Sequence, residues 1–145
     1  MYLLDTNIVS MLDSRRRGYA PALIEWMERN GASLFLSVMS ITELDAGVHK
    51  LRREGKRKRA REIAELVTAI LTDFADRVLP IDLETARHVA RLGAATYRQP
   101  LALPDVIIAA TAVRHGLIVL THNLGQIGRL DVPARDPFVE LPPDA

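Results

Sequence analysis

Three acidic residues carry most of the chemical interest in this chain. Asp5 closes the run Leu3-Leu4-Asp5-Thr6-Asn7, Glu43 lies one turn into the helix expected after Leu34 to Val38, and Asp105 follows Pro104 at the head of another helix. A polar triplet, Thr121-His122-Asn123, follows a fourth apolar run, Leu117 to Leu120. Each has an ordinary structural explanation. Asp5 fits a helix N-cap, Glu43 fits a capping box Ser40-x-x-Glu43, Asp105 suits a helix N-terminus, and the triplet fits a polar loop. Their coincidence is the stronger signal, because acids tens of residues apart would all project from one edge of a shared sheet. Carboxylates gathered in that way repel and raise one another's pKa unless a cation joins them. Cysteine is absent, and no histidine pair sits at helical spacing. Hard oxygen ligands alone select Mg²⁺, with Mn²⁺ able to substitute, over zinc. Such a cation can polarise a phosphoryl group, acidify a bound water and hold in-line geometry, which points to phosphodiester hydrolysis.

The elements that must position these residues follow from apolar periodicity. Tyr2 to Leu4 reads as a buried first strand and Ile8 to Leu12 as a brief helix. A helix led by Pro21 ends at Asn30 and Gly31, Leu34 to Val38 is a second strand, and Ser40 opens the next helix. After Gly55 a long helix carries Ile63, Leu66, Val67, Ile70, Leu71 and Phe74. Val78 to Ile81 is a short strand limited by Pro80, Glu84 to Tyr97 is helical, and Pro104 begins a helix that stops at His115 and Gly116. Leu117 to Leu120 is the strongest central-strand signal, and Asp136 to Glu140 is expected to add a last strand before a tail, about 140–145, frays. Strands separated by helices require long crossovers. The expected fold class is therefore α/β, a three-layer α/β/α sandwich with a mostly parallel sheet, whose ligands sit beyond the carboxyl ends of the strands.

The chain has 145 residues, 48% apolar and 26% charged, which suits one folded domain over 1–145 rather than a disordered segment. Without cysteine there are no disulfides, zinc-thiolate sites or cysteine nucleophiles, and a reducing, cytoplasmic setting is expected. No apolar run is long enough to cross a membrane, and the first residues lack the features of a signal peptide. Net charge is +1, but its distribution is uneven. Arg15, Arg16 and Arg17 form one basic cluster, and Lys50, Arg52, Arg53, Lys56, Arg57, Lys58, Arg59 and Arg61 form a second, relieved only by Glu54. The rest of the chain is net acidic, so basic stretches could steer a polyanion toward a negative site. A solvated helix face explains the same runs.

Taken in order, Leu3-Leu4-Asp5-Thr6-Asn7, Ser37-x-x-Ser40-Ile41-Thr42-Glu43-Leu44, Pro104-Asp105-x-x-Ile108-Ala109-Ala110-Thr111-Ala112 and Thr121-x-Asn123 resemble the motifs of PIN-domain ribonucleases. The similarity runs from about Tyr2 to Pro137 and is greatest to VapC-type toxins of bacterial toxin–antitoxin pairs. The resemblance implies a metal-dependent endoribonuclease acting on single-stranded regions of RNA, restrained by a cognate antitoxin and often a homodimer. It implies that Asp5, Glu43 and Asp105 are the catalytic, metal-binding carboxylates. At the family's fourth acidic position this chain has Asn123, with Gln126 three residues on, so a second metal is in doubt. Thr6 and Thr121 would orient Asp5 and the fourth position. The residues expected to touch RNA phosphates are Arg15, Arg16, Arg17, Lys56, Arg57, Lys58, Arg59 and His122.

His49, His88 and His115 read as surface or helix-end residues, and His122 alone lies near the site. Trp26 and the phenylalanines read as core or interface, and aromatic residues are only 5%, which gives no base-stacking stripe. One alternative is a degenerate module that binds RNA or antitoxin without cutting. A phosphatase with a nucleophilic Asp5 is disfavoured because Asn7 stands where a second aspartate would be needed. Replacing Asp5 or Asp105 by asparagine is expected to abolish cleavage with stability level or higher.

Overall fold

Alternation along the first strand sets the layers. The computed structural model describes residues 1–13, 15 and 20–144. In β1 (Tyr2–Leu4), Tyr2 and Leu4 join one apolar cluster and Leu3 joins the other, as a period of two residues requires. The first cluster adds α1 (Thr6–Val9), α2 (Pro21–Arg29), β2 (Leu34–Ser37) and the inner faces of α3 (Val38–Arg53) and α4 (Arg57–Asp73). The second adds α5 (Leu83–Ala95), α6 (Leu103–His115), β4 (Ile118–Leu120) and α7 (Leu124–Ile127). Between α4 and α5 lies the short β3 (Val78–Leu79), and the chain ends its sheet with β5 (Ala134–Arg135). The sheet is parallel throughout, in the order β3-β2-β1-β4-β5. The expected α/β/α sandwich is therefore what the chain forms, with Trp26 in the core, edge-on to Tyr2 at 5.4 Å.

This order positions the site. The sheet grows from β1 to β2 and β3 on one side and to β4 and β5 on the other, so β1 is the point where the winding reverses. Register aligns Leu4 with Leu36 and with Leu120. The next residues, Asp5, Ser37 and Thr121, thus stand in one row, at the carboxyl edge where ligands of open α/β sheets bind.

Three expectations are corrected. The helix after β2 starts at Val38, not Ser40: Ser37 is extended at φ −83° and ψ 144°, and its hydroxyl accepts the Met39 amide hydrogen. Ser40 is consequently buried inside α3, and its hydroxyl has no partner among the described residues. The last strand is Ala134–Arg135 rather than Asp136 to Glu140. Pro137 cannot donate to a ladder, and Asp136 turns the chain by accepting the Phe138 amide at 2.9 Å. The tail is tied down where fraying was expected: Tyr2 donates its hydroxyl to the Pro143 carbonyl at 3.0 Å, and Asn30 donates to Asp144 at 2.8 Å.

The loop after α1 is fastened to α4 by charge. Asp13 is 2% exposed and accepts from Arg15 Nε at 2.9 Å, the Arg15 amide at 3.1 Å and Arg59 at 3.2 Å. Burial pushes its carboxyl up, but the Arg15 amide, the Arg59 hydrogen bond and both positive charges outweigh this and hold it below the usual range. A carboxylate with a lowered folded pKa adds stability that is present above its unfolded pKa and is lost as pH falls through the folded one. Asp13→Ala leaves two arginines without their shared acceptor. We expect about 2 kcal/mol of destabilisation at pH 7, a fall of about 4–8 °C in melting temperature. The gap from wild type should narrow on acidification below the ordinary carboxylate range, as thermal denaturation across pH would show.

Candidate acidic site

Asp5 is the hub. It is 4% exposed, sits at φ −68° and ψ 155°, and caps α1 by accepting the Thr6 amide at 2.7 Å. Its second oxygen accepts the buried Thr121 hydroxyl at 2.7 Å and the Asn7 side-chain amide at 2.8 Å. Thr121 follows β4 directly, and the Asp5 amide donates to the Leu120 carbonyl at 2.9 Å, so the β1–β4 pairing delivers both residues together. A buried carboxylate needs such partners, since each unsatisfied lone pair would cost desolvation energy.

Glu43 and Asp105 reach the same edge from helices. Glu43 lies in the second turn of α3, half-buried, and accepts the Thr6 hydroxyl at 2.5 Å. This replaces the expected bond to Ser40. Thr6 thus serves two acids, its amide on Asp5 and its hydroxyl on Glu43, whereas it was expected to orient Asp5 and the fourth position. Asp105 stands in the first turn of α6, partly buried, and has no hydrogen-bond partner among the described residues. A buried contact locks α6 to the end of β2: Ser37 Oγ and Thr111 Oγ1 are 3.1 Å apart, and Thr111 donates to the Ile107 carbonyl at 2.8 Å.

Glu43 and Asp105 feel their acidic neighbours. Burial raises the Glu43 carboxyl above its ordinary range, the Thr6 hydrogen bond partly opposes this, and the charges of Asp5 and Asp105 add to the rise. Asp105 is raised by burial first and then by the charge of Asp5. Among the described residues no three His, Cys, Asp or Glu side chains stand as a ready-made ligand set. Glu43 is bonded to Thr6, and Asp5 to Thr121 and Asn7. The donor chemistry nonetheless fits a hard dication, since three carboxylates share a field that two of them resist in the ionised state.

The remaining predicted residues divide. Asn123 is exposed, and its amide donates to Thr121 Oγ1 at 2.8 Å; Gln126 accepts from Arg129 at 3.3 Å. His122 is exposed at the rim, with Nδ1 3.0 Å from Asp136 and its ring edge-on to Phe138 at 4.8 Å. Arg15 and Arg59 spend their charge on Asp13, Glu62 and Glu65, and Lys56 pairs with Glu54 at 2.8 Å. Arg57 and Lys58 are exposed. Arg16 and Arg17 lie outside the described residues. Two positions that brace the candidate site escaped the sequence reading. Asn7 links Asp5 to the His122 backbone amide, which it accepts at 3.1 Å, and the spacing Asp5-x-Asn7 was its signal. Asp136, at the end of β5, braces His122, and nothing in the sequence marked it.

Fold and site define a class: an α/β protein with a carboxylate cluster where the winding of a parallel sheet reverses. The chain belongs to the PIN-domain family, whose domain model matches residues 2–131. It is 33% identical over 141 residues to toxin FitB of Neisseria gonorrhoeae, covering 95% of this chain and 99% of that one. It is 34% identical over 126 residues to VapC ribonuclease Y4jK of Sinorhizobium fredii, covering 85% and 87%. Among solved structures it is similar to that of FitAcB from Neisseria gonorrhoeae, with a TM-score of 0.69 at 33% identity over 95% of this chain and 99% of that chain.

The two aspartates should part company in stability. Asp5→Asn removes one acceptor oxygen from a buried cap with three donors, so a loss of about 1–2 kcal/mol is expected. Asp105→Asn removes a charge that burial and Asp5 oppose, so the metal-free melting temperature should stay level or rise. Denaturation of both variants in chelator at pH 7 checks this, and a destabilised Asp105→Asn would contradict the placement.

Proposed function

We propose that this chain is a divalent-metal-dependent endoribonuclease that hydrolyses phosphodiester bonds in single-stranded regions of RNA. What supports it best is the meeting at the carboxyl edge of the sheet of Asp5 with Glu43, joined to it through Thr6, and with Asp105, whose carboxyl is raised by burial and by the Asp5 charge. These three would hold Mg²⁺, or Mn²⁺ in its place, which when bound supplies charge neutralisation and an acidified water beside the scissile phosphate. Thr121 and Asn7 hold Asp5 in position, and Thr6 holds Glu43. A carboxylate of the trio takes the proton of the attacking water, since the His122 imidazole is already engaged by Asp136. Cleavage leaves 5′-phosphate and 3′-hydroxyl ends.

The biological reading follows the relatives. We infer that this chain is the toxin of a toxin–antitoxin pair, held by a cognate antitoxin, in the cytoplasm and as a homodimer; its 33% identity to toxin FitB over 95% of its length supports the toxin reading. A solved FitAB complex bound to a DNA fragment, 30% identical to this chain, supports the antitoxin partnership. No helix among the described residues is long and apolar enough to cross a membrane.

Single-stranded RNA incubated with Mg²⁺ or Mn²⁺ should be cut to 5′-phosphorylated fragments, and chelator should stop the reaction. Asp105→Asn should lower the rate by about 100-fold or more, equivalent to about 2.7 kcal/mol of barrier. RNA that is bound yet left intact under every metal condition would instead support a non-cleaving module.

A further inference from the structure

The second basic run breaks apart on folding. Arg59 turns inward to Asp13 and Glu62, whereas Arg52, Arg57 and Arg61 converge on the opposite side and, with Ala64, line a concave pocket of about 460 Å³. Those three arginines make no hydrogen bond or ion pair with any described residue. Arg57 and Arg61 are four apart on α4, one face of a helix, where like charges destabilise, and Arg52 comes from the last turn of α3. Gly55, at φ +75°, makes the tight turn that folds α4 back along α3.

The local rules of helix design are broken here. The first turn of α4 holds Arg57, Lys58 and Arg59 with no acid, and Lys56 at the N-cap makes no side-chain cap. Cations at a helix N-terminus oppose the dipole by about 0.3–1 kcal/mol each. Of the three cations in that first turn, Arg59 alone is compensated, by Asp13 and Glu62. A cluster that costs stability and finds no partner among the described residues is the kind of local inconsistency that function accounts for.

Resting on the ribonuclease reading, we infer that Arg52, Arg57 and Arg61 form a phosphate-binding subsite for the RNA strand, remote from the scissile bond. Planar guanidinium forks suit phosphate oxygens, and three of them in one concavity match a polyanion backbone. Among the described residues the lining offers no large apolar side chain, which a protein interface would need at its centre. Along the α3 axis Arg52 lies about 13 Å beyond Glu43, so the subsite engages a phosphate of the strand other than the one at the acidic edge. This separation also keeps the positive pocket from neutralising the carboxylates.

The double variant Arg57→Gln/Arg61→Gln tests the subsite. It is made in the Asp105→Asn chain so that the strand is not consumed, and titrated with a labelled single-stranded RNA of about 20 nucleotides at several salt concentrations. The affinity should fall about tenfold near 100 mM salt, and the slope of log K against log salt should decrease by about 1.4, two phosphate contacts' worth. Its melting temperature should match or exceed that of the Asp105→Asn parent, because like charges leave a helix N-terminus. Unchanged affinity and slope would overturn the subsite, as would a lowered melting temperature, which would make the arginines structural. Binding of a poly-glutamate peptide as tight as that of the RNA would overturn it in favour of a protein partner. Absence of RNA cleavage by the wild-type chain would strike the nuclease reading while leaving this binding comparison intact.

Discussion

Everything in this protein turns on holding like charges together at the carboxyl edge of a five-stranded parallel sheet. Asp5 is the fixed point, buried and held by the Thr6 amide, the Asn7 amide and the Thr121 hydroxyl. Because Thr121 arrives on the neighbouring strand in register with Asp5, the hydrogen-bond ladder between β1 and β4 is itself the positioning device. Glu43 and Asp105 are then brought near by helices anchored on either side, and burial and mutual repulsion raise both carboxyls. Native structure that keeps such groups ionised stores a local cost, which the rest of the fold must offset.

Charge is handled in two contrasting ways. Around Asp13 the chain neutralises itself, joining Arg15 and Arg59 to a buried acid and fastening a loop to α4. At the acidic edge the carboxylates are held by neutral donors and pair with no described cation, and in the arginine pocket at the α3–α4 turn the guanidinium groups pair with no described residue. These two uncompensated clusters sit toward opposite ends of one helix, α3, which therefore fixes the distance between them. A negative site next to a positive approach suits a polyanion whose reacting phosphate needs a dication and whose flanking phosphates need guanidinium groups.

Much of this could be read from the residues. Short apolar runs spaced by amphipathic segments implied a parallel, doubly covered sheet, which the chain forms, and the acids that the sequence singled out as a candidate site are Asp5, Glu43 and Asp105. What could not be read depends on register and on competition among neighbours. Ser37 and Ser40 both suit an N-cap, and only the end of the β2 ladder decides that Ser37 takes the role. Thr6 lies beside Asp5 in sequence, yet its hydroxyl goes to Glu43, a contact that exists only once α3 is docked. Arg57 and Arg59 look alike in the basic run, but helical geometry turns one to Asp13 and leaves the other facing the pocket. Asp136 carried no signal because Pro137 and the turn it begins were read as strand.

The most direct measurement is the anomalous difference density of a crystal of this protein soaked in Mn²⁺. One strong peak bonded to carboxylate oxygens of Asp5, Glu43 and Asp105 is the expected result, with Glu43 rotated away from Thr6 to reach it. A protein that stays metal-free at millimolar Mn²⁺, or that binds the ion only away from these three side chains, would contradict the reading of the sheet edge as a cation site.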